Sequence, residues 1–262
     1  MVRHYMTSAR RMGKTMKDNR YGDEFQQRSK YRRGHLPGHR LDFHSKPSTY
    51  KQHESVIKSV DLPSNHEFRI DSFIKVLKDR RSRRAFSPDA ITLQDLSTLL
   101  KFTTGTRSGN ISRDNFHFRH VPSAGGLFPH ETYVIANRVE GISRGLYHYN
   151  IPKESLDLLK TGDHEKTLAR ICLDQDMAYL CAAGFLWVAI IPRSKWKYLQ
   201  RCYRYIYMDI GHVGQNFYLV SEALKLACCT IGAIYDDEGN EFIGLDGIDE
   251  TLVYAGVVGK PS

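Results

Sequence analysis

Residues 184–224 read GFLWVAIIPRSKWKYLQRCYRYIYMDIGHVGQNFYLVSEAL, and the two ends of this stretch have different periods. Phe185 to Ile191 is an unbroken apolar run between Gly184 and Pro192, the pattern of a fully buried central strand. Beyond it, Ile206, Ile210, Val213, Phe217, Val220 and Leu224 step by four and three residues. That is the seam of a long helix, packed either in the core or across a two-fold axis.

Upstream, Thr92 and Asp95 form a capping box, Leu93, Leu96, Leu99 and Leu100 recur at helical spacing, and Gly105 supplies a stop. A short helix is expected from Asp71 through Phe73, Ile74 and Leu77. Residues 106–120 read as a loop and residues 131–136 as a strand. Residues 146–149 and 155–159 read as a hairpin, and Asp163 is placed to cap a helix across residues 168–180. Residues 228–234 and 252–258 complete the strands. Helices and strands mix without regular βαβ repetition, so the expected class is α+β, not a doubly wound sheet.

The chain has 262 residues and 41% hydrophobic content, enough for one substantial core. Its net charge of +9 lies at one end: residues 1–60 hold 14 Lys and Arg against 5 Asp and Glu, whereas residues 61–262 hold 24 of each. We therefore expect a basic N-terminal arm over residues 1–60, disordered or ordered by a partner, and one domain over residues 61–262. A neutral body argues against a nucleic-acid-binding face. Five cysteines without a CxxC pair read as buried free thiols of a reducing compartment. Residues 1–20 contain no apolar signal core, and the longest apolar run, residues 177–191, is too short to span a bilayer. A cytoplasmic protein without membrane association is expected.

Four constellations carry chemistry. In Arg80, Arg81, Ser82, Arg83 and Arg84, guanidinium forks and a hydroxyl match the oxygens of a phosphate, although by charge alone the run is a solvated surface. In Pro122-Ser123-Ala124-Gly125-Gly126-Leu127-Phe128-Pro129, adjacent glycines let backbone approach a flat ligand, and equally make a tight turn. Lys197 and Tyr198, followed by Arg201, Tyr203, Arg204 and Tyr205, set a phenol among cations that favour its phenolate, as a tyrosine base requires. An amphipathic surface helix accounts for the same residues. Gln215 and Asn216 bring amides into the seam helix, where they are exposed, networked, or turned to the polar edge of a bound ring. His35, His39, His44 and His53 are not expected to hold a metal, since Pro37 and Gly38 break any helix that aligns the first two. No GxSxG, GxGxxG or Walker loop is present.

Taken in order, RRSRRAF, PSAGGLFP, KYLQRCYRYIYMDIGHVGQN and TIGAI resemble the SagB/ThcOx-type branch of the nitroreductase superfamily from about Phe73 to Pro261. Within it they are similar to the azoline dehydrogenases of thiazole/oxazole-modified microcin pathways, which act on ribosomally made, modified peptides. The resemblance implies a nitroreductase-like fold with a mixed central sheet flanked by helices, and a two-fold homodimer with FMN at its interface. It implies that Arg80, Arg81, Ser82 and Arg84 meet the FMN phosphate and ribityl chain, with Lys260 reaching the phosphate. Pro122, Ser123, Ala124, Gly125 and Gly126 would lie along the isoalloxazine from the partner subunit. Gln215 or Asn216 and the backbone of Ile231, Gly232 and Ala233 would approach the ring. Lys197 and Tyr198 are the expected catalytic pair, and a precursor peptide bearing azolines and cyclodehydratase subunits are the expected partners. The sequence departs from the branch at Phe128, where Tyr is usual, and at Cys202, where Gly is common.

Overall fold

A computed structural model describes residues 21–30, 39–66, 73–111 and 117–262, in two units, Met1–Arg40 and Leu41–Ser262. The first unit contains α1 (Tyr21–Arg28), in which Arg28 pairs with Glu24 one turn earlier at 3.3 Å. Residues 1–20 and 31–38, which hold much of the expected arm and His35, lie outside the described residues, as does Asp71.

The second unit runs β1 (Lys58–Asp61), α2 (Phe73–Asp79), α3 (Leu93–Thr103), β2 (Thr106–Ile111), β3 (His117–Arg119), a 3-10 turn at Ala124–Gly126, then β4 (His130–Ala136), β5 (Gly145–Asn150) and β6 (Ser155–Thr161). It continues α4 (Glu165–Ile171), α5 (Asp176–Leu180), β7 (Ala183–Ile190), α6 (Ile191–Tyr198), α7 (Cys202–Ala223), β8 (Ala227–Ile231), α8 (Asp236–Ile243) and β9 (Glu250–Gly259). The main sheet has the order β1-β6-β5-β4-β7-β9-β8. Every neighbour pairing in it is antiparallel, so the α+β class stands and the expected mixture of strand directions does not appear among the described residues.

Strand periodicity sends alternate residues to two cores. Phe185 and Trp187 of β7 join Val134, Leu96, Leu99, Ile210, Val213 and Phe217 beneath α3 and α7. Leu186 and Val188 join Ile135, Leu168, Ile171, Met177, Ile243 and Val257 on the other face, beneath α4, α5 and α8. Both faces being covered explains why all of β7 is buried, as its unbroken apolar run required. The seam of α7 lies in the core through Ile206, Ile210, Val213 and Phe217. The capping box of α3 is formed in both directions, Asp95 N–H to Thr92 Oγ1 at 3.0 Å and Thr92 N–H to Asp95 Oδ2 at 3.2 Å.

Several expectations need correction. Residues 106–120 are not a plain loop, since β2 and β3 pair in a small separate sheet. The helix expected over residues 168–180 is broken by Leu173 and Asp174, whose φ values of 57° and 55° lie outside the helical region. Asp163 does not cap it; its carboxylate accepts from Arg144 at 2.8 Å. β8 ends at Ile231, so residues 232–234 leave the sheet. Residues 41–60 are not part of an arm, because Leu41 onward belongs to the second unit and β1 is an edge strand paired with β6.

Buried charge explains that last result. Glu131 of β4 is 1% exposed; it accepts from Arg193 Nη1 at 2.5 Å and shares a hydrogen bond with His148 Nε2 at 3.0 Å. Arg193 Nε donates to the Ser48 carbonyl at 2.7 Å, and Lys51 N–H approaches Glu131 at 3.4 Å while its ammonium pairs with Glu250. The polar residues 48–53 therefore close a charge cluster that apolar side chains are unable to satisfy. Burial works against the Glu131 carboxylate, yet Arg193 and His148 hold it down at about 2. Burial, Arg119 and Arg193 push His130 down to about 3, and burial with His148 and Lys51 pushes His53 to about 4. No helix among the described residues is long and apolar enough to cross a membrane.

Two stability predictions follow from this packing and charge. A Cβ on Gly256 would lie 2.7 Å from Trp187 Cη2 and 3.1 Å from Phe217 Cε1, so Gly256→Ala should cost about 1–3 kcal/mol in urea unfolding. His53, His130 and Glu131 all bind protons less readily folded than unfolded, so acid removes stability. The loss should begin below pH 6.5 for the histidines, and below 4.5 for Glu131. The urea midpoint should fall steadily from pH 7 to pH 4, and His130→Gln should flatten part of that slope. A midpoint unchanged over this range would contradict the assignment.

Candidate active site

The Gly-rich turn and the Lys-Tyr pair meet within one chain. Gly125 and Gly126 take φ values of 62° and 66°, conformations free of penalty only without a Cβ. A Cβ on Gly125 would lie 2.5 Å from Tyr198 Oη and 2.8 Å from Lys197 Nζ, so both polar tips converge on this glycine. Tyr198 ends α6, after which Leu199 at φ 49° turns the chain into α7. Lys197 Nζ lies 5.5 Å from the centre of the Tyr198 ring. Tyr205 stacks on Tyr198 with centroids 4.6 Å apart, and its hydroxyl accepts from Arg201 Nε at 3.0 Å. The expected phenolate is not what this setting favours. Burial, then Tyr205 and Asp209, raise the Tyr198 phenol above its ordinary range, and the charge of Lys197 does not reverse them.

A second constellation sits farther along α7. Arg83 pairs with Glu222, and its amide donates to the Cys228 carbonyl at 2.9 Å, fixing residues 80–84 beside β8. Arg80 lies 5.0 Å over the Tyr218 ring, and Ser82 Oγ is 2.9 Å from Tyr218 Oη. Arg81 closes the end of α2 by donating to the carbonyls of Lys78 at 2.7 Å and Arg80 at 2.8 Å. Arg84 donates to the Ser82 carbonyl at 3.4 Å. The Lys260 carbonyl accepts from Ser87 N–H at 2.9 Å, which brings the end of β9 to the same segment.

A hydroxyl chain leads on from Tyr218. Its oxygen accepts from Thr230 N–H at 3.0 Å, and Thr230 Oγ1 accepts from Tyr254 at 2.6 Å. The Tyr254 ring fills the space a Cβ would need on Gly214, at 2.9 Å, and lies 3.8 Å from one built on Gly232. Ile231 is buried, while Gly232 and Ala233 are exposed beside this ring. Of the two amides, Gln215 is exposed, and Asn216 donates to the Phe102 carbonyl at 2.9 Å. An open groove of about 300 Å³ adjoins them, lined by Phe73, Val76, Phe102, His120, Asn216 and Leu219 among others.

One chain thus holds two polar clusters, centred on Asp209 and Tyr218, nine residues apart and so about 14 Å along the helix axis. Asp209, Tyr218, Glu222, Thr230 and Tyr254 were absent from the sequence-based site. Asp209 carried a usable signal, because it lies three residues after Ile206 and four before Val213, a carboxylate on a core-facing stripe. The three hydroxyl residues carried none, since their meeting depends on strand register.

Residues 77–260 match the Nitroreductase family. MJ1384, a nitroreductase-family protein of Methanocaldococcus jannaschii, is 32% identical over 184 residues, which cover 70% of this chain and 88% of MJ1384. The trifolitoxin-processing protein TfxB of Rhizobium leguminosarum bv. trifolii is 28% identical over 178 residues, 65% of this chain; the match spans 48% of TfxB, about half its length. Among solved structures, the Escherichia coli microcin synthetase McbBCD complex with truncated pro-MccB17 includes a similar chain, with TM-score 0.62, 18% identity and 92% coverage of both chains. A nitroreductase-family protein of Desulfovibrio desulfuricans solved with FMN matches with TM-score 0.51 and 15% identity, over 74% of this chain and 88% of that one. Family match, relative and fold agree: this chain belongs to the nitroreductase family.

Proposed function

We propose that this protein is an FMN-dependent dehydrogenase that oxidises thiazoline and oxazoline rings of a ribosomally made peptide to thiazoles and oxazoles, acting as a two-fold homodimer in the cytoplasm. The observation that carries the reading is the convergence of Tyr198 Oη and Lys197 Nζ on the Gly125 face of the loop. An acid-base pair beside a flat glycine surface suits proton removal from a planar ring. The TfxB and McbBCD matches support a peptide-modifying setting.

The residues present fit FMN. Arg80, Arg81 and Arg84 have no carboxylate partner among the described residues, whereas Arg83 is spent on Glu222. With Ser82 and Lys260 they make a donor set for a phosphate dianion. Gly125 and Gly126 supply backbone for the ring, and Gln215, Asn216 and the stretch from Ile231 through Gly232 to Ala233 supply its polar edge. The two clusters face different parts of such a ligand, which supports a shared site between two copies. Exposed Phe73, Ile74 and Leu77 beside the groove supply an apolar surface for the second copy.

When bound, FMN would supply the acceptor for the hydride from the carbon next to the α-carbon, with dioxygen as the terminal oxidant. Tyr198 takes the α-proton, and Lys197 holds the phenol oxygen against the loop. Because burial keeps the phenol protonated, the base form is scarce at neutral pH and grows as pH rises. A basic arm over residues 1–40 would meet the acidic parts of the precursor peptide or of cyclodehydratase subunits. The wider family supports a second reading, an NAD(P)H-dependent nitro or quinone reductase, in which the Lys-Tyr pair is incidental.

The purified protein should be yellow, release FMN at about one per chain, and lose it in Arg80→Ala and Arg84→Ala; a colourless wild type that takes up no added FMN would end the proposal. Tyr198→Phe should retain FMN and lower azole formation by about 10²–10⁴-fold. Wild-type kcat/KM should climb with pH above neutrality, a rise that Tyr198→Phe abolishes. Rapid anaerobic bleaching by NADPH, with no conversion of azoline peptides, would favour the reductase instead. Ile74→Glu should yield a monomer that has lost FMN, as read by sedimentation and absorbance.

A further inference from the structure

The loop that meets Tyr198 makes two backbone bonds of its own, Gly126 N–H to the Ser123 carbonyl at 3.0 Å and Leu127 N–H to the Ala124 carbonyl at 3.4 Å, and neither engages the amides of Ala124 and Phe128. Gly125, Gly126 and Phe128 all have left-handed φ values, the last at 44°, a conformation unfavourable for a residue with a side chain. One carboxylate answers for this shape. Asp209 of α7, 5% exposed, accepts from the Ser123 hydroxyl at 2.5 Å and from Ala124 N–H at 3.1 Å and 3.2 Å through its two oxygens. Ser123 Oγ in turn accepts from Phe128 N–H at 2.9 Å, so both ends of the strained segment return to Asp209. On its other side, Arg119 lies 5.2 Å from the Phe128 ring.

We propose that Asp209 is a positioning residue for the Lys197–Tyr198 pair: its carboxylate latches residues 123–128, so that Gly125 stands against the phenol and the ammonium in one fixed place. A carboxylate is costly on the apolar stripe of α7, and among the described residues its hydrogen bonds all come from the loop. An amide is a poor substitute, because its one oxygen accepts in place of two and its NH2 would face donors already present. The groups facing the latch are Tyr198 of α6, Arg119 of β3, His130 of β4 and His212 of α7; those facing the Tyr198 phenol are Lys197 beside it and Tyr205 and Asp209 of α7. The negative charge of Asp209 also opposes ionisation of Tyr198. The latch therefore acts twice, on where the phenol stands and on when it loses its proton.

The effect on rate rests on the proposed function; the latch itself does not. Hydrogen exchange of the full-length protein, read at the amides of Ala124 and Phe128, should accelerate at least about tenfold in Asp209→Asn, and at Phe128 in Ser123→Ala, while β4 stays protected. With azoline peptide, Asp209→Asn should lower kcat by about 10–100-fold with KM within about twofold. It should also move the alkaline rise of the pH–rate profile to lower pH, since a charge that opposes the phenolate is gone. Ser123→Ala should lower kcat and leave the profile in place. Unchanged exchange at Phe128 in folded Ser123→Ala, or an unmoved profile in Asp209→Asn, would overturn the assignment. A wild type without azoline oxidation would overturn the function and leave the exchange result to decide the latch.

Discussion

Phe217 is wedged against Phe185 and Trp187, with ring centroids 4.9 Å and 5.4 Å away, and the position of every polar group along α7 depends on that contact. Fully burying one such ring is worth about 1.5–3 kcal/mol, and Ile206, Ile210 and Val213 extend the seam. A single neutral hydrogen bond contributes about 0.5–1.5 kcal/mol. The apolar stripe therefore sets the helix in place, and Asp209, Asn216, Tyr218 and Glu222 go where the stripe sends them. Gly256 on the facing strand and Gly214 on α7 itself leave the room that Trp187 and Tyr254 occupy.

The strand next to β7 obeys a different rule. Glu131, His148 and Arg193 are all buried, and their polar groups are matched by one another and by residues 48–53. Removing one partner from such a group typically costs about 3–5 kcal/mol, because a buried charge is left alone. This segment also touches α6, where Trp196 Nε1 donates to the Asp42 carbonyl at 2.7 Å and packs edge-on against Phe43. The helix that carries Lys197 and Tyr198 is thus held from two directions, by Arg193 within the cluster and by Trp196 at its rim.

What was legible in the sequence was what a period or a cap encodes. The strand at Phe185, the seam of α7, the box at Thr92 and the glycine turn all announce themselves locally. The failures share a cause. Residues 41–60 look like an arm because they are polar, yet their polar groups are what a buried Glu131 requires. Leu173 and Asp174 have no Gly or Pro to betray a break, and the left-handed turn they make appears only when α4 and α5 pack against the sheet. The site divided the same way: the glycine loop and Lys197–Tyr198 are each legible as motifs, whereas their meeting within one chain, and that of Thr230 and Tyr254 through the register of β8 on β9, are not.

The one expectation that failed on chemistry, not geometry, concerns Tyr198. Counting cations near a phenol treats each as equally close and equally unscreened, whereas burial, Tyr205 and Asp209 dominate in the folded chain. A phenol held protonated is scarce as a base at rest and is a weaker acid than an ordinary phenol, and the negative charge beside it adds to what burial and Tyr205 already do. That charge belongs to Asp209, which also shapes the loop that Tyr198 touches. One carboxylate, placed by the seam of α7, thus touches both the shape of the loop and the proton affinity of the phenol, while burial and Tyr205 supply the larger share of the latter.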